Sequence, residues 1–258
     1  MSGFDLQGKV ALITGGNGGI GLGMAEGLAA AGADVVIWGS NEGKNAAAEA
    51  LLRKHGRRVL AQRCDVADEA QVEAEFAEAV KWMGRIDGCF ANAGVSQARA
   101  PLAELSTKEW RRVMQVNLDG AFFTLRAAAR HMAERAGAGS PGGRLVGMAS
   151  SAAIHGAARA AAYAASKGAM LTMMRALAVE MARYQVTANA ILPGWIESDM
   201  TAAAIGDAKF SAAVLPRIPL RRWGRKEDFA GIAVYLMSDA SGYHTGDHFV
   251  IDGAYTIF

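Results

Sequence analysis

Seven short apolar segments alternate along this chain with longer stretches of mixed polarity. Most of these segments are continuously apolar, which is typical of parallel strands covered by helices on both faces. We interpret them as strands over Val10–Thr14, Asp34–Trp38, Val59–Arg63, Ile86–Ala91, Leu145–Ala149, Thr187–Leu192 and His248–Ile251. The stretches between them predict helices near 21–31, 42–55, 69–83, 107–135, 161–183 and 226–238.

This alternation of strand and helix predicts the α/β fold class. We expect a single doubly wound Rossmann-type domain with a seven-stranded parallel sheet flanked by helices. A chain of 258 residues fits one such domain, and 52% hydrophobic residues are enough to bury its sheet. Since no repeat or break interrupts the pattern, we predict one domain over 1–258, and the glycine-rich segment 136–143 is interpreted as a loop.

Composition and charge mainly exclude classes of partner and of binding site. A net charge of +2 gives no reason to expect nucleic acid or an anionic membrane as partner. Cys64 and Cys89 lie far apart in apolar segments without metal-ligand spacing, which favours buried free thiols in a reducing compartment and no metal site. Because no apolar run approaches 18 residues and no leader-like pattern opens the chain, we expect a cytoplasmic protein without a membrane segment.

The first strand is followed at once by a glycine-rich turn and then by a helix. This order predicts a dinucleotide site, because glycines permit a tight turn and let backbone N–H groups approach a pyrophosphate at the helix N-terminus. Two registers fit the turn. Gly16, Gly18 and Gly21 match G-x-G-x-x-G, whereas Thr14, Gly15, Gly19 and Gly21 match T-G-x-x-x-G-x-G.

Candidate chemistry lies near the middle of the chain. Tyr163 and Lys167 are four residues apart on a predicted helix, so they share one face. A nearby ammonium favours the phenolate, so we expect a lowered pKa for Tyr163 and proton exchange with a carbonyl or alcohol oxygen. Ser150 ends the strand thirteen residues earlier and is expected at the same site. Taken singly, these residues also fit an exposed helical pair and a serine that caps a turn.

Several motifs in order resemble the short-chain dehydrogenase/reductase family, in its branch with the Y-x-x-x-K site. The resemblance extends from Leu6 to Ala254. It rests on the second glycine register, Asn92-Ala-Gly94, Ser150 with Tyr163 and Lys167, Asp65-Val66, Asn117 and Pro193-Gly194. It implies the strand order 3-2-1-4-5-6-7. It also implies an NAD(P)-dependent oxidoreductase that transfers a hydride between nicotinamide and a secondary alcohol or ketone.

The resemblance implies roles for four catalytic residues. Tyr163 is the general acid/base, and Lys167 holds the nicotinamide ribose and lowers the pKa of the tyrosine. Ser150 hydrogen-bonds the substrate oxygen, and Asn117 holds a water that links Lys167 to solvent. The implied cofactor contacts are Gly15, Asn17, Gly19, Ile20, Gly21, Ser40, Asn41, Asp65, Val66, Asn92, Ala93, Gly94, Tyr163, Lys167, Pro193, Gly194, Ile196 and Ser198.

The end of the second strand bears on the choice of cofactor. In the family, an aspartate at the position of Gly39 selects NAD, whereas a cation at Ser40 or Gly18 selects NADP; this chain has neither. Lys44 either reaches a phosphate or is a solvated helix lysine. Because a desolvated phosphate without a cation lacks a charge-assisted bond, we favour NAD(H) over NADP(H) and expect poor discrimination.

The segment 195–223 is predicted to be the substrate lid. Its apolar residues either suit a ketone with hydrocarbon character or pack the lid on the body. We expect His155 and Trp195 to contact substrate together with Ser150 and Tyr163. A cluster of arginines near the end of this segment fits three roles: binding a carboxylate, binding the acidic face of an acyl carrier protein, or forming salt bridges. These arginines are Arg217, Arg221, Arg222 and Arg225. The segment 217–224 is similar to that of gluconate and deoxygluconate dehydrogenases, and also to that of ketoacyl reductases.

Three functions therefore stay open at this point. The first is hydride transfer on a small-molecule alcohol or ketone, either a sugar acid or a hydrophobic ketone. The second is reduction of a 3-oxoacyl thioester on acyl carrier protein. The third is a non-catalytic nucleotide-binding regulator, against which the presence of both Tyr163 and Lys167 counts. Members of the family are usually homotetramers, so we expect self-association through the helices near 107–135 and 161–183.

Overall fold

A computed structural model of the protein describes residues 3–258, in which seven strands form one parallel sheet of order β3-β2-β1-β4-β5-β6-β7. The predicted fold class and strand order are thereby confirmed. Strand bounds differ from those predicted by at most two residues at either end. The strands are β1 Val10–Thr14, β2 Asp34–Gly39, β3 Val59–Arg63, β4 Gly88–Ala91, β5 Gly143–Met148, β6 Val186–Pro193 and β7 His248–Ile251.

Nine α-helices connect the strands within the described residues. They are α1 Gly19–Ala30, α2 Glu42–Leu52, α3 Glu69–Met83, α4 Thr107–Met114, α5 Gly120–Gly137, α6 Ala161–Met181, α7 Ala202–Gly206, α8 Ala208–Val214 and α9 Ala230–Met237. The two short helices α7 and α8 lie in the predicted lid and were not expected. None of the helices in residues 3–258 combines the length and the apolar character needed to cross a membrane.

The sheet separates two apolar cores. Successive strand residues point to opposite faces, so Leu12 belongs to one core and Ile13 to the other. Helices α3, α5 and α6 cover the first face, and α1, α2 and α9 cover the second. The Leu12 and Ile13 side chains are fully buried, and the burial of each stabilises the fold by about 1.5–3 kcal/mol. Cys64 and Cys89 are buried and unbridged, as expected.

The predicted helix over 107–135 is interrupted. Residues Gln115–Asp119 form one π-helical turn between α4 and α5. Such turns carry an extra residue within an otherwise α-helical path and are frequent at functional sites. Here the turn contains Asn117, whose side chain is fully buried. The continuous polarity pattern of the segment gave no sign of this interruption.

Helix starts differ in how their free amides are satisfied. Asp68 caps α3 by accepting hydrogen bonds from the N–H groups of Ala70 and Gln71, and Asn41 caps α2 by accepting one from Lys44. The helix α6, which carries Tyr163, has alanine at its N-cap position and no side-chain cap of its own. Its first amides therefore need an acceptor from elsewhere in the fold.

The segment 195–223 packs largely on itself. The Phe210 ring lies 4.9 Å from the Trp195 ring in an edge-to-face contact and 6.4 Å from the stacked Trp223 ring. Val214 and Ile218 complete this small apolar cluster with Tyr255. Trp195, Phe210 and Val214 pack within this cluster and also line a cavity beside it, so both interpretations of the apolar lid residues stay open.

Candidate active site

A cleft opens at the carboxyl ends of β1, β4, β5 and β6, which is where ligands bind in open α/β sheets. It encloses a cavity of about 280 Å³. Most of the predicted cofactor contacts line it: Gly15, Asn17, Gly19, Ile20, Gly21, Asn92, Ala93, Gly94, Tyr163, Lys167, Pro193, Gly194, Ile196 and Ser198. Gly18, Lys44, Met148, Ala149, Ser150, Asp199, Met200 and Thr201 line it as well.

The ends of β1 and β4 are held together by Thr14 and Asn92. The buried Thr14 Oγ1 accepts hydrogen bonds from the N–H groups of Asn92 and Ala93 at 3.0 and 2.9 Å. In return the Asn92 Nδ2 donates to the Thr14 carbonyl at 2.8 Å. The T-G and N-A-G motifs, nearly eighty residues apart in sequence, therefore fix one another at the rim of the cleft.

The structure favours the second glycine register. Gly15 and Gly19 have φ angles of +64° and +48°, a region that L side chains rarely adopt. A Cβ on Gly21 would lie 2.2 Å from the Gly15 carbonyl oxygen. Gly16 lies away from the cleft, because its Cβ would meet Ile37 in the core at 2.6 Å.

A dinucleotide phosphate fits this turn. A Cβ on Gly18 would meet nothing within 4 Å, so the turn leaves open space beside the N-terminus of α1. A helix start with a glycine-rich lining presents N–H groups and a favourable dipole to an anion. The residues present therefore suit the cofactor that the family resemblance implies.

Lys167 is 4% exposed and is anchored to the backbone of β5. Its Nζ donates a hydrogen bond to the Met148 carbonyl at 2.7 Å and lies 5.7 Å from the centre of the Tyr163 ring. Burial lowers the pKa of Lys167 from 10.5 to about 8, because the ammonium is removed from water. This lysine is consequently much closer to exchanging its proton near neutrality than a surface lysine.

The expected lowering of the Tyr163 pKa is wrong for this structure. Burial raises the pKa of Tyr163 above 10.0, and a hydrogen bond with Ser150 acts in the opposite direction. Lys167 is not among the causes, since its ammonium is directed to the Met148 carbonyl rather than to the phenol oxygen. Sequence spacing placed the two side chains on one face but could not specify where the ammonium points.

Asn117 lies behind Lys167 rather than in the cleft lining. Its Oδ1 accepts the Val95 N–H at 2.7 Å, and its Nδ2 donates to the Val95 carbonyl at 3.1 Å and to Ser166 Oγ at 3.3 Å. A Cβ on Gly94 would lie 3.2 Å from Asn117 Oδ1 and 3.5 Å from Lys167 Nζ. A side chain at position 94 would therefore crowd both polar groups, and glycine leaves that space free.

Four predicted cofactor residues do not line the cavity: Ser40, Asn41, Asp65 and Val66. The Asn41 side chain caps α2, and the Asp65 carboxylate accepts the N–H of Ala67 at 3.0 Å. Val66 is buried. The adenine-side assignments therefore stay predictions from family resemblance.

Polar side chains fill the space beside Gly39, the position at which the family resemblance implies an aspartate in NAD-selective members. Asn17 Nδ2 donates to Asn45 Oδ1 at 2.6 Å, and Asn45 Nδ2 donates to the Gly39 carbonyl at 2.9 Å. A Cβ on Gly39 would lie 2.0 Å from Asn17 Nδ2. Beside this cluster, Lys44 forms an ion pair with Asp199 at 2.6 Å across the mouth of the cleft.

A second cavity of about 410 Å³ adjoins the first and shares Ser150 and Tyr163 with it. The predicted substrate residues His155 and Trp195 both line this cavity. Sequence reasoning missed several of its other lining residues, namely Ser96, Gln97, Arg99 and Tyr255. The first three follow Asn92-Ala-Gly94 in a loop without periodic pattern, so nearness to the end of β4 was the only available signal.

The arginines at the C-terminal end of the lid mostly contact the protein itself. Arg222 forms a bidentate ion pair with Asp228 at 2.7 and 2.9 Å. The Arg217 guanidinium lies 4.9 Å from the centre of the Tyr255 ring. Of the three interpretations, salt bridges apply to Arg222. By contrast, the exposed Arg99 has no hydrogen bond or ion pair of its guanidinium within residues 3–258.

A doubly wound sheet with a glycine turn, a buried lysine and a Ser–Tyr pair at the strand ends defines a nucleotide-dependent dehydrogenase. A family profile described as enoyl-(acyl carrier protein) reductase matches residues 15–256. The chain belongs to the short-chain dehydrogenase/reductase family. It is an NAD(P)-dependent oxidoreductase that acts on a secondary alcohol or ketone.

Relatives with named activities cover nearly the whole chain. The 2-dehydro-3-deoxy-D-gluconate 5-dehydrogenase of Pseudoalteromonas atlantica is 39% identical over 98% of this chain and 97% of its own length. The Escherichia coli enzyme of the same name is 36% identical over 99% of this chain and 98% of its own length. The crystal structure of gluconate 5-dehydrogenase from Burkholderia cenocepacia, in complex with NADP and tartrate, is 38% identical with a TM-score of 0.91, over 98% and 97%.

Proposed function

We propose that Tyr163, Lys167, Ser150 and Asn117 form the catalytic group. When bound, the nicotinamide cofactor supplies the exchange of hydride with substrate carbon. In the reductive direction, the Tyr163 phenol, which its raised pKa keeps protonated, donates its proton to the substrate oxygen while Ser150 orients the same oxygen; the oxidative direction starts from the Tyr163 phenolate, which takes the hydroxyl proton. Lys167 holds the ribose hydroxyls, and Asn117 fixes the adjoining loop through Val95. Support comes from the cavity lining that Ser150, Tyr163 and Lys167 share.

We propose that the substrate is a sugar acid, a small polyhydroxylated carboxylate. One observation carries this choice: the exposed residue Arg99 lines the cavity that contains Ser150 and Tyr163 and has no carboxylate partner of its own among the described residues. An arginine facing such a cavity suits a carboxylate, which it binds through two parallel hydrogen bonds. The named activities of the relatives support the same choice.

The cofactor preference follows from Lys44, Gly39 and Asp199. No acidic side chain at Gly39 opposes a 2′-phosphate, yet the nearby cation Lys44 is already paired with Asp199. We therefore propose that the protein accepts both cofactors and favours NAD(H) by a small factor. The solved relative with NADP shows that related proteins bind the phosphorylated form, which is consistent with dual use.

We further propose one domain over 1–258 with residues 195–223 as its lid, a cytoplasmic location and a homotetramer assembled through α5 and α6. The exposed Phe122 and Val179 on these two helices support self-association. Size-exclusion chromatography with light scattering at several protein concentrations tests the assembly. A monomer at all concentrations would remove this part of the proposal.

The first experiment is fluorescence titration with NADH and NADPH side by side, followed by a substrate panel. The panel contains gluconate, 2-dehydro-3-deoxygluconate, their neutral alcohol analogues and a 3-oxoacyl thioester. We expect turnover of the acids only, with kcat/KM lowered at least tenfold in Arg99→Met and unchanged in Arg53→Met, a surface arginine paired with Glu49. Preference for the thioester would replace the sugar-acid proposal, and cofactor binding without turnover of any compound would favour a nucleotide-binding regulator.

A further inference from the structure

The start of α6 is capped from a distant loop. The Gln97 Oε1 accepts hydrogen bonds from the N–H groups of Ala162 and Tyr163 at 2.8 and 3.3 Å. These are the second and third residues of the helix, whose amides an N-cap side chain normally satisfies. The helix's own N-cap residue, Ala160, offers no such acceptor. Gln97 therefore replaces a local cap from more than sixty residues away in sequence.

Gln97 also holds the turn that leads into α6. Its Nε2 donates to the Arg159 carbonyl at 3.3 Å, and the Ala100 N–H donates to the same oxygen at 3.3 Å. Arg159 has a φ angle of +64°, which is unfavourable for a residue with a side chain. A strained turn of this kind persists only where its surroundings hold it. Gln97, which is 7% exposed, supplies three hydrogen bonds here, two to the first turn of α6 and one to the turn before it.

The backbone of Tyr163 is thus tied at both of its polar groups. Its N–H donates to Gln97, while its carbonyl accepts a hydrogen bond from Ser166 Oγ at 2.7 Å. Ser166 in turn accepts one from Asn117. Because the tyrosine lies in the first turn, fraying of that turn would move its phenol, whereas Lys167 one turn later is anchored separately to β5.

We propose that Gln97 is a positioning residue for Tyr163. From the loop that follows β4, Gln97 caps α6 and thereby fixes the Tyr163 phenol against the substrate. This inference rests on the proposed role of Tyr163 as general acid/base. Gln97 also lines the substrate cavity with Ser150 and Arg99, so the loop that lies against substrate is the loop that holds the helix. Substrate contacts in this loop and the geometry of the proton transfer are thereby mechanically linked.

Two variants separate positioning from stability. Gln97→Met keeps the volume and removes the hydrogen bonds, whereas Gln97→Glu keeps the acceptor, loses the donor and adds a negative charge. The matched control is Gln62→Met, because Gln62 is also 7% exposed and hydrogen-bonded but contacts Trp38 and Glu75 instead. All three proteins are compared for thermal stability, NADH affinity, kcat and KM.

For Gln97→Met we expect kcat to fall ten- to a hundredfold, with NADH affinity within twofold of the wild type. Amide hydrogen exchange should accelerate at Ala162 and Tyr163 and stay slow in the second half of α6. Gln62→Met should lose similar stability and keep wild-type kcat. A Gln97→Met protein that loses stability but retains kcat would overturn the proposal.

Gln97→Glu tests whether position 97 lies close enough to the Tyr163 phenol to act on it. The titratable or charged residues that line cavities together with Tyr163 are Lys44, Lys167 and Asp199 in the first cavity and Arg99, His155 and Tyr255 in the second. A new carboxylate near the phenol should shift the ultraviolet titration of Tyr163, measured against Tyr163→Phe, by about one unit to higher pH. This measurement needs no substrate, so it stays informative if the sugar-acid proposal fails. An unchanged titration with unchanged kcat would contradict the role of Gln97.

Discussion

The two ends of the cofactor cleft are built differently. At the catalytic end, Asn117, Lys167 and Ser150 are all less than 9% exposed, and each contacts backbone of another segment or turn. At the adenosine end, the Lys44 and Asp199 side chains form an ion pair while 54% and 86% exposed. Exposed ion pairs contribute at most about 1 kcal/mol, whereas buried polar contacts cost more to break. We therefore expect changes at the first end to abolish function and changes at the second to retune it.

The largest effect is expected for Tyr163→Phe. Removal of the phenolic oxygen eliminates the proton acceptor at the substrate, so kcat should fall about 10²- to 10⁴-fold. The ring that lines the cavity is retained, and NADH affinity should stay within twofold. The control is Tyr184→Phe, at the far end of the same helical segment. Steady-state kinetics that show wild-type rates for Tyr163→Phe would exclude its role as acid/base.

The buried ammonium of Lys167 should be visible in stability as well as in rate. Because its folded-state pKa is about 8 and its ordinary pKa is 10.5, the folded protein binds fewer protons than the unfolded chain between these values. The free energy of unfolding of the wild type, measured relative to that of Lys167→Met, should therefore rise by about 3 kcal/mol between pH 8 and 10.5. Below pH 8 the difference is constant, since the charged lysine carries its full burial cost there.

Urea unfolding of both proteins from pH 7 to 10 measures this difference. Lys108→Met, which removes an exposed lysine on α4, is the control for the loss of a lysine in itself. A constant difference between wild type and Lys167→Met across the whole range would show that Lys167 is not desolvated as its position indicates.

The same contrast explains what the sequence could predict. The strands follow from continuous apolar runs, and the glycine, N-A-G and Y-x-x-x-K motifs each identify a residue type that chemistry or backbone geometry requires. The π turn at Asn117 and the cap from Gln97 depend on contacts between segments far apart in sequence. The direction of the Lys167 ammonium and the Lys44–Asp199 pair depend on side-chain positions that no spacing encodes.

A smaller effect is expected for Gly39→Asp, the change that would copy the NAD-selective relatives. An aspartate Cβ needs the space of Asn17 Nδ2, so the bond between Asn17 and Asn45 must break. We expect a loss of about 1–3 kcal/mol in stability and weaker binding of both cofactors rather than a clean switch to NAD(H). The control Gly43→Asp lies nearby in α2, where a Cβ meets only Asn41 Oδ1, at 3.5 Å. Undiminished stability with selective NADH binding would show that the asparagine pair is dispensable.

The mildest change, Asp199→Asn, tests the exposed end directly. Releasing Lys44 from its partner makes the ammonium available to a 2′-phosphate, so NADPH affinity should rise two- to fivefold while NADH affinity changes little. The gain should disappear at high salt and in the Lys44→Met background, because both remove the attraction. Glu197→Gln removes a charge from the same loop without freeing Lys44 and should leave the affinity ratio unchanged. Equal gains for both cofactors would mean that Asp199 acts on access to the cleft, and that Lys44 does not read the ribose.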